Sequence, residues 1–234
     1  MTGRVASRTE IGLVRRRNED ALYVGEQLFA VADGLGGHVG GDVASTTAIE
    51  ALAGYDLPVR PQDLDATLGR AVAAADSAIR RRVIDEPELA GMGTTLVALL
   101  RSGPAAVLAN VGDSRAYLLR GGPAGRGRTL RITEDHTYRH LVSAASRVPN
   151  LPDKLARFLD GRPDGRSPDL TRLALHSGDR VLLCTDGLSS YVGDDLIHLA
   201  LAEYETADGA AERLVRLALD SGAPDNVTVL VLDA

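Results

Sequence analysis

Apolar and polar positions in the first third of the chain form short runs separated by turns. Residues 21–24 and 28–32 have the length and apolar composition of β-strands, and Gly25-Glu26-Gln27 between them is typical of a hairpin. Helices are predicted next over residues 42–52, where small side chains share one face, and over 63–83, where apolar side chains recur at helical spacing. This part of the sequence therefore predicts a strand pair followed by two helices.

The middle of the chain contains three further strand-like apolar runs, at residues 94–100, 105–109 and 115–119. Gly103-Pro104 and Gly112-Asp113 lie at the two breaks between these runs. We expect these turns to join the three runs into one antiparallel meander.

Regular patterns return in the last third of the chain. Strands are expected at residues 130–133, 173–175, 181–184 and 226–232, and helices at 194–202 and 207–219. Because groups of antiparallel strands alternate with helix pairs, the whole pattern predicts an α+β fold with layered sheets.

Residues 136–170 interrupt the pattern. This segment contains four prolines and the run Asp160-Gly-Arg-Pro-Asp-Gly-Arg-Ser-Pro, and only short helices, over 138–145 and 153–159, are expected in it. A long irregular insert in a compact domain is often a functional loop or lid. Since no repeat and no linker divides the chain, we expect a single domain over 1–234 with this insert at about 136–170.

Composition and charge narrow the class of protein. The chain has 234 residues, 44% of them hydrophobic and 25% charged, as in a globular protein with one sizeable core. Its net charge of −6 disfavours nucleic-acid binding, which needs a cationic face. No run approaches the roughly 20 apolar residues of a membrane span, and no apolar signal core follows the N-terminus. With Cys184 as the single cysteine, we expect no internal disulfide and a cytoplasmic location.

Five aspartates carry the candidate chemistry. Asp20, Asp33, Asp113, Asp186 and Asp225 are far apart in the sequence, but four of them lie at the mouth of a predicted strand, where carboxylates can converge. A cluster of bare carboxylates repels itself unless cations neutralise it, and carboxylates, carbonyls and water are ligands for Mg²⁺ or Mn²⁺. Two such ions about 3.5–4 Å apart can activate water and clamp a phosphoryl group.

Two neighbouring features fit the same chemistry. Gly34, directly after Asp33, would let a backbone carbonyl approach a metal ion closely. Arg15-Arg16-Arg17 could supply a bidentate phosphate clamp. Taken singly, an aspartate in an Asp-Gly or Gly-Asp-Ser run is more often a turn residue than a ligand, and a triple arginine is usually a solvated surface. The informative feature is therefore the ordered set of motifs.

This ordered set resembles the bacterial metal-dependent serine/threonine protein phosphatases of type 2C. The motifs are Arg-x4-Asp at 15–20, Asp-Gly-x-Gly-Gly at 33–37, Gly-x-Gly-Thr-Thr at 91–95, Gly-Asp-Ser-Arg at 112–115, Asp-Gly at 186–187 and Asp-Asn at 225–226. The resemblance runs from about Glu10 to the C-terminus, except for the insert. It implies the family fold, an α+β fold with a central antiparallel β-sandwich flanked by helix pairs in α-β-β-α layers.

The resemblance also implies roles for single residues. Metal ligands would be Asp33, bridging two ions, the Gly34 carbonyl, Asp186 and Asp225 on the first ion, Asp20 on the second, and Asp113 on a third, weaker ion. Arg15 would grip the substrate phosphate, and Arg15, Asp33 and Asp186 would be the catalytic residues. Glu19 and Asn226 would support them.

The implied activity is metal-dependent hydrolysis of phosphoserine and phosphothreonine on proteins. A water molecule activated by two Mn²⁺ or Mg²⁺ ions would attack phosphorus directly, with no phosphoenzyme intermediate. The metals and Arg15 would stabilise charge on the equatorial oxygens. Partners would be phosphorylated proteins, the substrates of serine/threonine kinases, and we expect the chain to be a monomer.

The sequence departs from the family pattern in two places. Animal members carry a histidine directly after the Asp-Gly pair, and Leu35 stands at that position here, as an apolar residue does in many bacterial members. His38 lies three residues further on, and we do not assign it the role of general acid. The insert at 136–170 also lacks the flap sequence of common bacterial members, and in this family the flap helps to choose the substrate.

Several other interpretations compete with this one. A dinucleotide-binding loop would use Gly34 and Gly36, but its third glycine should stand where Val39 does. Cys184 could be a nucleophile, but cysteine-dependent phosphatases need Cys-x5-Arg, and Ser190 occupies the arginine position. A lone cysteine on an apolar strand is more often a buried core residue. His136 and His140 could bind zinc together, yet no third ligand is evident, and two such histidines more often belong to a polar turn.

Two rivals remain close to the family itself. A catalytically silent type 2C-like module would usually lose a metal aspartate, and here all five are present. A phosphatase of anti-sigma antagonist proteins would usually carry attached sensor domains, for which 234 residues leave no room. We therefore favour the protein phosphatase of general kinase substrates.

Overall fold

Two antiparallel sheets form the centre of the protein. The computed structural model describes residues 5–36, 40–123, 127–141, 154–162 and 167–234. The strands in these ranges are β1 (Val5–Glu10), β2 (Asp20–Val24), β3 (Leu28–Leu35), β4 (Gly93–Thr94), β5 (Leu96–Ser102), β6 (Ala105–Val111), β7 (Arg115–Leu119), β8 (Thr129–Arg131), β9 (Asp169–Ala174), β10 (Arg180–Cys184) and β11 (Val227–Asp233). The first sheet has the order β1-β11-β10-β7-β8, and the second has the order β2-β3-β5-β6-β9 with β4 paired to β3.

Helices cover the outer face of each sheet. They are α1 (Gly41–Ala53), α2 (Leu64–Asp85), α3 (Tyr138–Leu141), α4 (Asp186–Ser189), α5 (Asp194–Glu203) and α6 (Ala207–Asp220). Helices α1 and α2 pack on the second sheet, and α4, α5 and α6 pack on the first. Within the described ranges, no helix is long and apolar enough to cross a membrane.

Strand β3 shows how three apolar layers hold this arrangement together. Leu28, Ala30 and Ala32 point toward α1 and α2, whereas Phe29 and Val31 point toward the other sheet. This alternation follows from the two-residue period of a strand, which sends successive side chains to opposite faces. Strands β10 and β11 alternate in the same way between the central layer and the helices of the first sheet. The layers therefore run helix, sheet, sheet, helix, in agreement with the expected α+β sandwich.

The expected meander is wrong at its second turn. Strands β5 and β6 pair as expected, but β7 pairs with β10 and β8 in the other sheet. The Gly112-Asp113-Ser114 connection therefore crosses between the sheets instead of closing a hairpin. Both faces of β7 are apolar and buried, so the local pattern fits either sheet, and only the packing decides between them.

The insert is only partly as expected. Helix α3 covers the beginning of the predicted helix 138–145, whose remainder lies outside the described residues. The predicted helix 153–159 is wrong for its described part, 154–159. Leu155 forms a β-bridge with Thr137, and Leu159 forms one with Thr94, because exchanged backbone hydrogen bonds hold this stretch extended against the second sheet.

Candidate active site

The five aspartates come together from both sheets. Asp20 and Asp33 face each other across β2 and β3 of the second sheet. Asp186 begins α4 directly after β10, and Asp225 precedes β11, both in the first sheet. Asp113 lies on the turn that crosses between the sheets. All but Asp20 line a cleft of about 310 Å³, and Asp20 lies close enough to share their electrostatic field.

Hydroxyl groups of the Gly-x-Gly-Thr-Thr motif fix the backbone of Asp33. The Asp33 N–H donates to Thr95 Oγ1 (3.0 Å), and Thr94 Oγ1 donates to the Asp33 carbonyl (2.9 Å). The hydroxyls of Thr95 and Ser114 share a hydrogen bond of 2.7 Å. Since Ser114 follows Asp113, this chain of contacts connects the two aspartates.

A second buried threonine positions Asp20. Thr185 Oγ1 donates to Asp20 Oδ2 (2.9 Å) and accepts from the Thr228 N–H (3.0 Å). Thr185 belongs to the first sheet and Asp20 to the second, so this hydrogen bond joins the sheets beside the cleft. Sequence reasoning missed Thr185, although a threonine directly before the Asp-Gly motif was the available signal.

Gly34 has no space for a side chain. A Cβ atom there would overlap the carbonyl oxygen of Gly41 and lie 2.6 Å from that of Glu19, and the Gly34 N–H donates to the same Glu19 oxygen (3.1 Å). The glycine therefore lets β3 approach the loop before β2 and the start of α1. Gly34 lines the cleft, as a carbonyl ligand would have to do.

The aspartates raise one another's affinity for protons. Burial and the charge of Asp186 raise the pKa of Asp20 and of Asp113 to about 7. Burial and the charges of Asp20 and Asp186 raise the pKa of Asp33 well above its ordinary value. Burial and the charge of Asp225 raise the pKa of Asp186. Without added positive charge, the cluster thus retains protons near neutral pH.

The donor set fits divalent cations. Asp20 Oδ1 and Asp186 Oδ1 are buried and have no hydrogen-bond partner, which is a costly state for carboxylate oxygens. No three acidic or histidine side chains in the described ranges close around one point as a complete cage. An open set of oxygen ligands suits Mg²⁺ and Mn²⁺, which keep several water ligands in such sites. The residues present therefore fit hydrated divalent cations that are bound partly through water.

Arg15 lies at the mouth of the cleft. Its Nη2 donates to Asp225 Oδ2 at 2.6 Å, and this hydrogen bond raises the pKa of the guanidinium. About half of the side chain (49%) remains exposed, so further N–H groups of the guanidinium face the cleft and solvent. Arg15 thus combines an anchored guanidinium with donors that remain accessible at the cleft.

Asn226 fixes the loop that carries Arg15. Its Nδ2 donates to the carbonyls of Ile11 (2.9 Å) and Arg17 (2.8 Å), and its Oδ1 accepts from the Glu19 N–H (2.8 Å). Asn226 therefore ties together both ends of the segment that contains Arg15. Glu19 also lines the cleft, and burial raises its pKa.

The remaining candidate residues are buried in the core, lie outside the described residues or line the cleft with apolar side chains. Cys184 is fully buried on β10, where burial raises the pKa of its thiol to about 12, so it is an unsuitable nucleophile. His38, Val39 and the side chain of His140 lie outside the described residues. Leu35 lines the cleft, and Leu155 brings the insert to its edge, a contact that the sequence did not indicate.

Comparison with known proteins identifies the class that this fold and site define. A family profile described as Protein phosphatase 2C matches residues 15–226. The chain therefore belongs to the protein phosphatase 2C family, and the resemblance inferred from its motifs is confirmed.

The relatives include named enzymes. The chain is 45% identical over 237 residues to the serine/threonine protein phosphatase PstP of Mycobacterium tuberculosis, covering 98% of this chain and 45% of that protein. It thus spans about half the length of that relative. It is 32% identical to the serine/threonine phosphatase stp of Listeria monocytogenes, covering 97% of this chain and 94% of stp.

A solved structure supports the fold. The crystal structure of the catalytic domain of PstP in complex with two manganese ions superimposes with a TM-score of 0.87, at 46% identity over 99% of this chain and 97% of that one. The predicted type 2C fold is thereby confirmed. Membership of this family leaves no role for the dinucleotide-binding and cysteine-nucleophile alternatives.

Proposed function

We propose that the chain hydrolyses phosphoserine and phosphothreonine monoesters on proteins and depends on Mn²⁺ or Mg²⁺. The observation that carries this proposal is the convergence of four aspartates from both sheets on one cleft that Arg15 also lines, with Asp20 paired beside Asp33. The family membership and the named phosphatases PstP and stp support it.

The proposed ligands of two metal ions, and of a third, weaker one, are the carboxylates of Asp20, Asp33, Asp113, Asp186 and Asp225 and the carbonyl of Gly34. The ions would supply activation of water and neutralisation of charge on the phosphoryl group. The two manganese ions bound by the catalytic domain of PstP support Mn²⁺ as the first ion to test. Because the pKa values of these aspartates are raised, metal binding must displace the protons that the metal-free cluster retains.

Arg15 is proposed to bind the phosphoryl group. Its planar guanidinium can present two parallel N–H groups to phosphate oxygens while Nη2 keeps its bond to Asp225. The hydrogen bond to Asp225 orients the guanidinium in advance, so that little rearrangement is needed when the substrate binds. Among the described residues that line the cleft there is no histidine, so we infer that the leaving alcohol takes its proton from water.

We extend the proposal to the biological setting. Its substrates would be proteins phosphorylated by serine/threonine kinases, and it would act on them in the cytoplasm. The chain would be a monomer with one catalytic domain over 1–234 and its insert at about 136–170. The single buried cysteine and the net charge of −6 support the cytoplasmic, protein-directed part of this proposal. Light scattering coupled to size exclusion tests the monomer.

The decisive experiment is hydrolysis of para-nitrophenyl phosphate and of a phosphothreonine peptide, with Mn²⁺ and with chelator. We expect activity in Mn²⁺ only, and its loss in Asp33→Asn. Asp208→Asn is the matched control, because Asp208 is an exposed partner of Arg8 that does not line the cleft, and it should keep full activity. Equal activity in chelator, or an active Asp33→Asn enzyme, would refute the proposal.

A further inference from the structure

The segment Thr133 to His136 runs along the turn that carries Asp113. The Ala116 N–H donates to Thr133 Oγ1 (3.1 Å), and the His136 N–H donates to the Gly112 carbonyl (2.9 Å). Between these contacts, Asp135 accepts two hydrogen bonds from Arg115, at 2.9 and 2.7 Å. The turn from Gly112 to Ala116 is therefore held on both sides of Asp113 by a segment that lines no part of the cleft.

The side chain of His136 completes this contact. It is 3% exposed, and its Nδ1 lies 3.1 Å from the Gly112 N–H, which can only donate. Nδ1 must therefore accept, so the proton of the neutral ring is on Nε2. That atom lies 3.1 Å from Asp169 Oδ2, at the beginning of β9, and donates to it. Arg157 Nη1 is 3.4 Å from the same ring nitrogen but donates to Asp169 Oδ1 at the shorter distance of 2.6 Å. Burial lowers the pKa of His136, which keeps the ring neutral.

The backbone conformation of Gly112 makes this hydrogen bond to His136 important. Its φ of 115° is in the region that favours glycine, and a Cβ atom would lie 2.7 Å from Thr95, so the backbone is fixed in a conformation that side chains exclude. Its N–H points into the protein, where an unpaired donor is costly. The His136 imidazole supplies the hydrogen-bond acceptor for this N–H.

We propose that His136 is a positioning residue that holds Asp113 in the cleft through the Gly112 N–H, with Asp169 selecting the required tautomer. This inference rests on the proposed function, in which Asp113 binds a metal ion. It gives the insert a defined connection to the metal site, because Asp169 also accepts from Arg157 at 2.6 Å and so joins residues 154–159 to β9. Partners that orient ligands in this way typically affect metal affinity 10–100-fold.

Two amide substitutions distinguish the roles of the two ring nitrogens. His136→Asn keeps an acceptor near the Nδ1 position and loses the bond to Asp169, whereas His136→Gln keeps a donor near Nε2 and loses the acceptor for Gly112. For each variant, calorimetry gives Mn²⁺ affinity, and hydrogen exchange gives protection of the peptide containing Gly112. The Mn²⁺ concentration for half-maximal hydrolysis of para-nitrophenyl phosphate is measured in parallel.

We expect His136→Gln to weaken the weakest Mn²⁺ site by about tenfold or more and to speed exchange at Gly112. His136→Asn should bind this ion about fivefold or more tightly than the Gln variant does. Equal affinities in the two variants, with equal losses of thermal stability, would mean that His136 is only a core residue and would overturn the inference.

The role of His136 and the proposed function can fail independently of each other. If the wild type binds Mn²⁺ but hydrolyses no phosphate ester, the proposed function fails, while calorimetry still tests His136. If His136→Gln does not fold, Asp169→Ala decides, because Asp169 is largely exposed and its loss removes the acceptor that keeps the proton on Nε2, while the donor Arg157 Nη1 lies 3.4 Å from that atom. Weaker Mn²⁺ binding in that variant supports the inference, and unchanged binding overturns it.

Discussion

Replacing Asn226 by alanine should loosen the loop that carries Arg15. The substitution removes three hydrogen bonds, to the Ile11 and Arg17 carbonyls and from the Glu19 N–H. A net contribution near 1 kcal/mol for each bond, reduced where water reaches the exposed loop, predicts a loss of about 2–3 kcal/mol in the free energy of unfolding. For a chain of this length, the melting temperature should fall by roughly 5–10 °C.

The effect on activity follows from the same contacts. Once the loop is free, Arg15 must be ordered when phosphate binds, so KM should rise about threefold or more, with a smaller change in kcat. Urea unfolding of the metal-free protein measures the stability, and hydrolysis of para-nitrophenyl phosphate in saturating Mn²⁺ measures KM.

A matched control separates stability from loop position. Thr206→Ala removes the N-cap of α6, where the Thr206 hydroxyl accepts from the Gly209 N–H, and should cost about 1 kcal/mol without changing KM. If Asn226→Ala lowers stability but leaves KM at the wild-type value, the proposed link between this loop and phosphate binding is wrong. A loss below about 0.5 kcal/mol would show that water replaces the three bonds.

Three further predictions concern the same cleft. Arg15→Ala should raise KM about tenfold because it removes a phosphate contact. Arg16 is an exposed neighbour, and Arg16→Ala should change KM little. A large fall in kcat at unchanged KM would instead mean that Arg15 acts chiefly in the transition state. Asp186→Asn should abolish turnover yet leave the metal-free fold at least as stable by calorimetry, since it removes a repelling charge; an unfolded variant would favour a purely structural turn. The raised pKa values of Asp20 and Asp113 mean that the folded, metal-free protein binds more protons than the unfolded chain, so its melting temperature should fall as pH rises from about 4 to about 7, and Mn²⁺ should restore it. The lowered pKa values of Asp56, Asp169 and Asp179 lie below this window. His136 titrates within the window and opposes the fall, but it is one group against the raised carboxyl groups of the cluster, so a metal-free melting temperature that rises across the window would contradict the argument.

The sequence predicted the internal elements better than the edges. Helix α2 was expected at 63–83 and spans Leu64–Asp85, because seven of its side chains are buried at helical spacing. Strand β1 was not predicted, since only Ala6 of Val5–Glu10 is buried and the strand forms by pairing with β11 at the edge of its sheet. Edge strands depend on the partner backbone more than on their own apolar pattern.

The candidate site was predictable as a set of carboxylates but not as a supported structure. Asp-Gly and Gly-Asp-Ser runs are visible because aspartate and glycine have distinctive roles in turns. The hydroxyls that position them, Thr185 and Ser114, are ordinary residues until the sheets bring them within hydrogen-bond distance. The assignment of β7 to the wrong sheet has the same origin, because periodicity identifies buried faces and not the neighbour that buries them.

The cleft lies across the seam of a sandwich, and this has a consequence for how its properties can change. Asp20 and Asp33 move with one sheet, whereas Asp186 and Asp225 move with the other, and the spacing between the pairs is set by the side chains that fill the central layer. Changes in volume there, as at Phe29 or Leu230, would shift one pair relative to the other. Evolution or engineering could thus adjust metal preference from the middle of the sandwich while every proposed ligand stays the same.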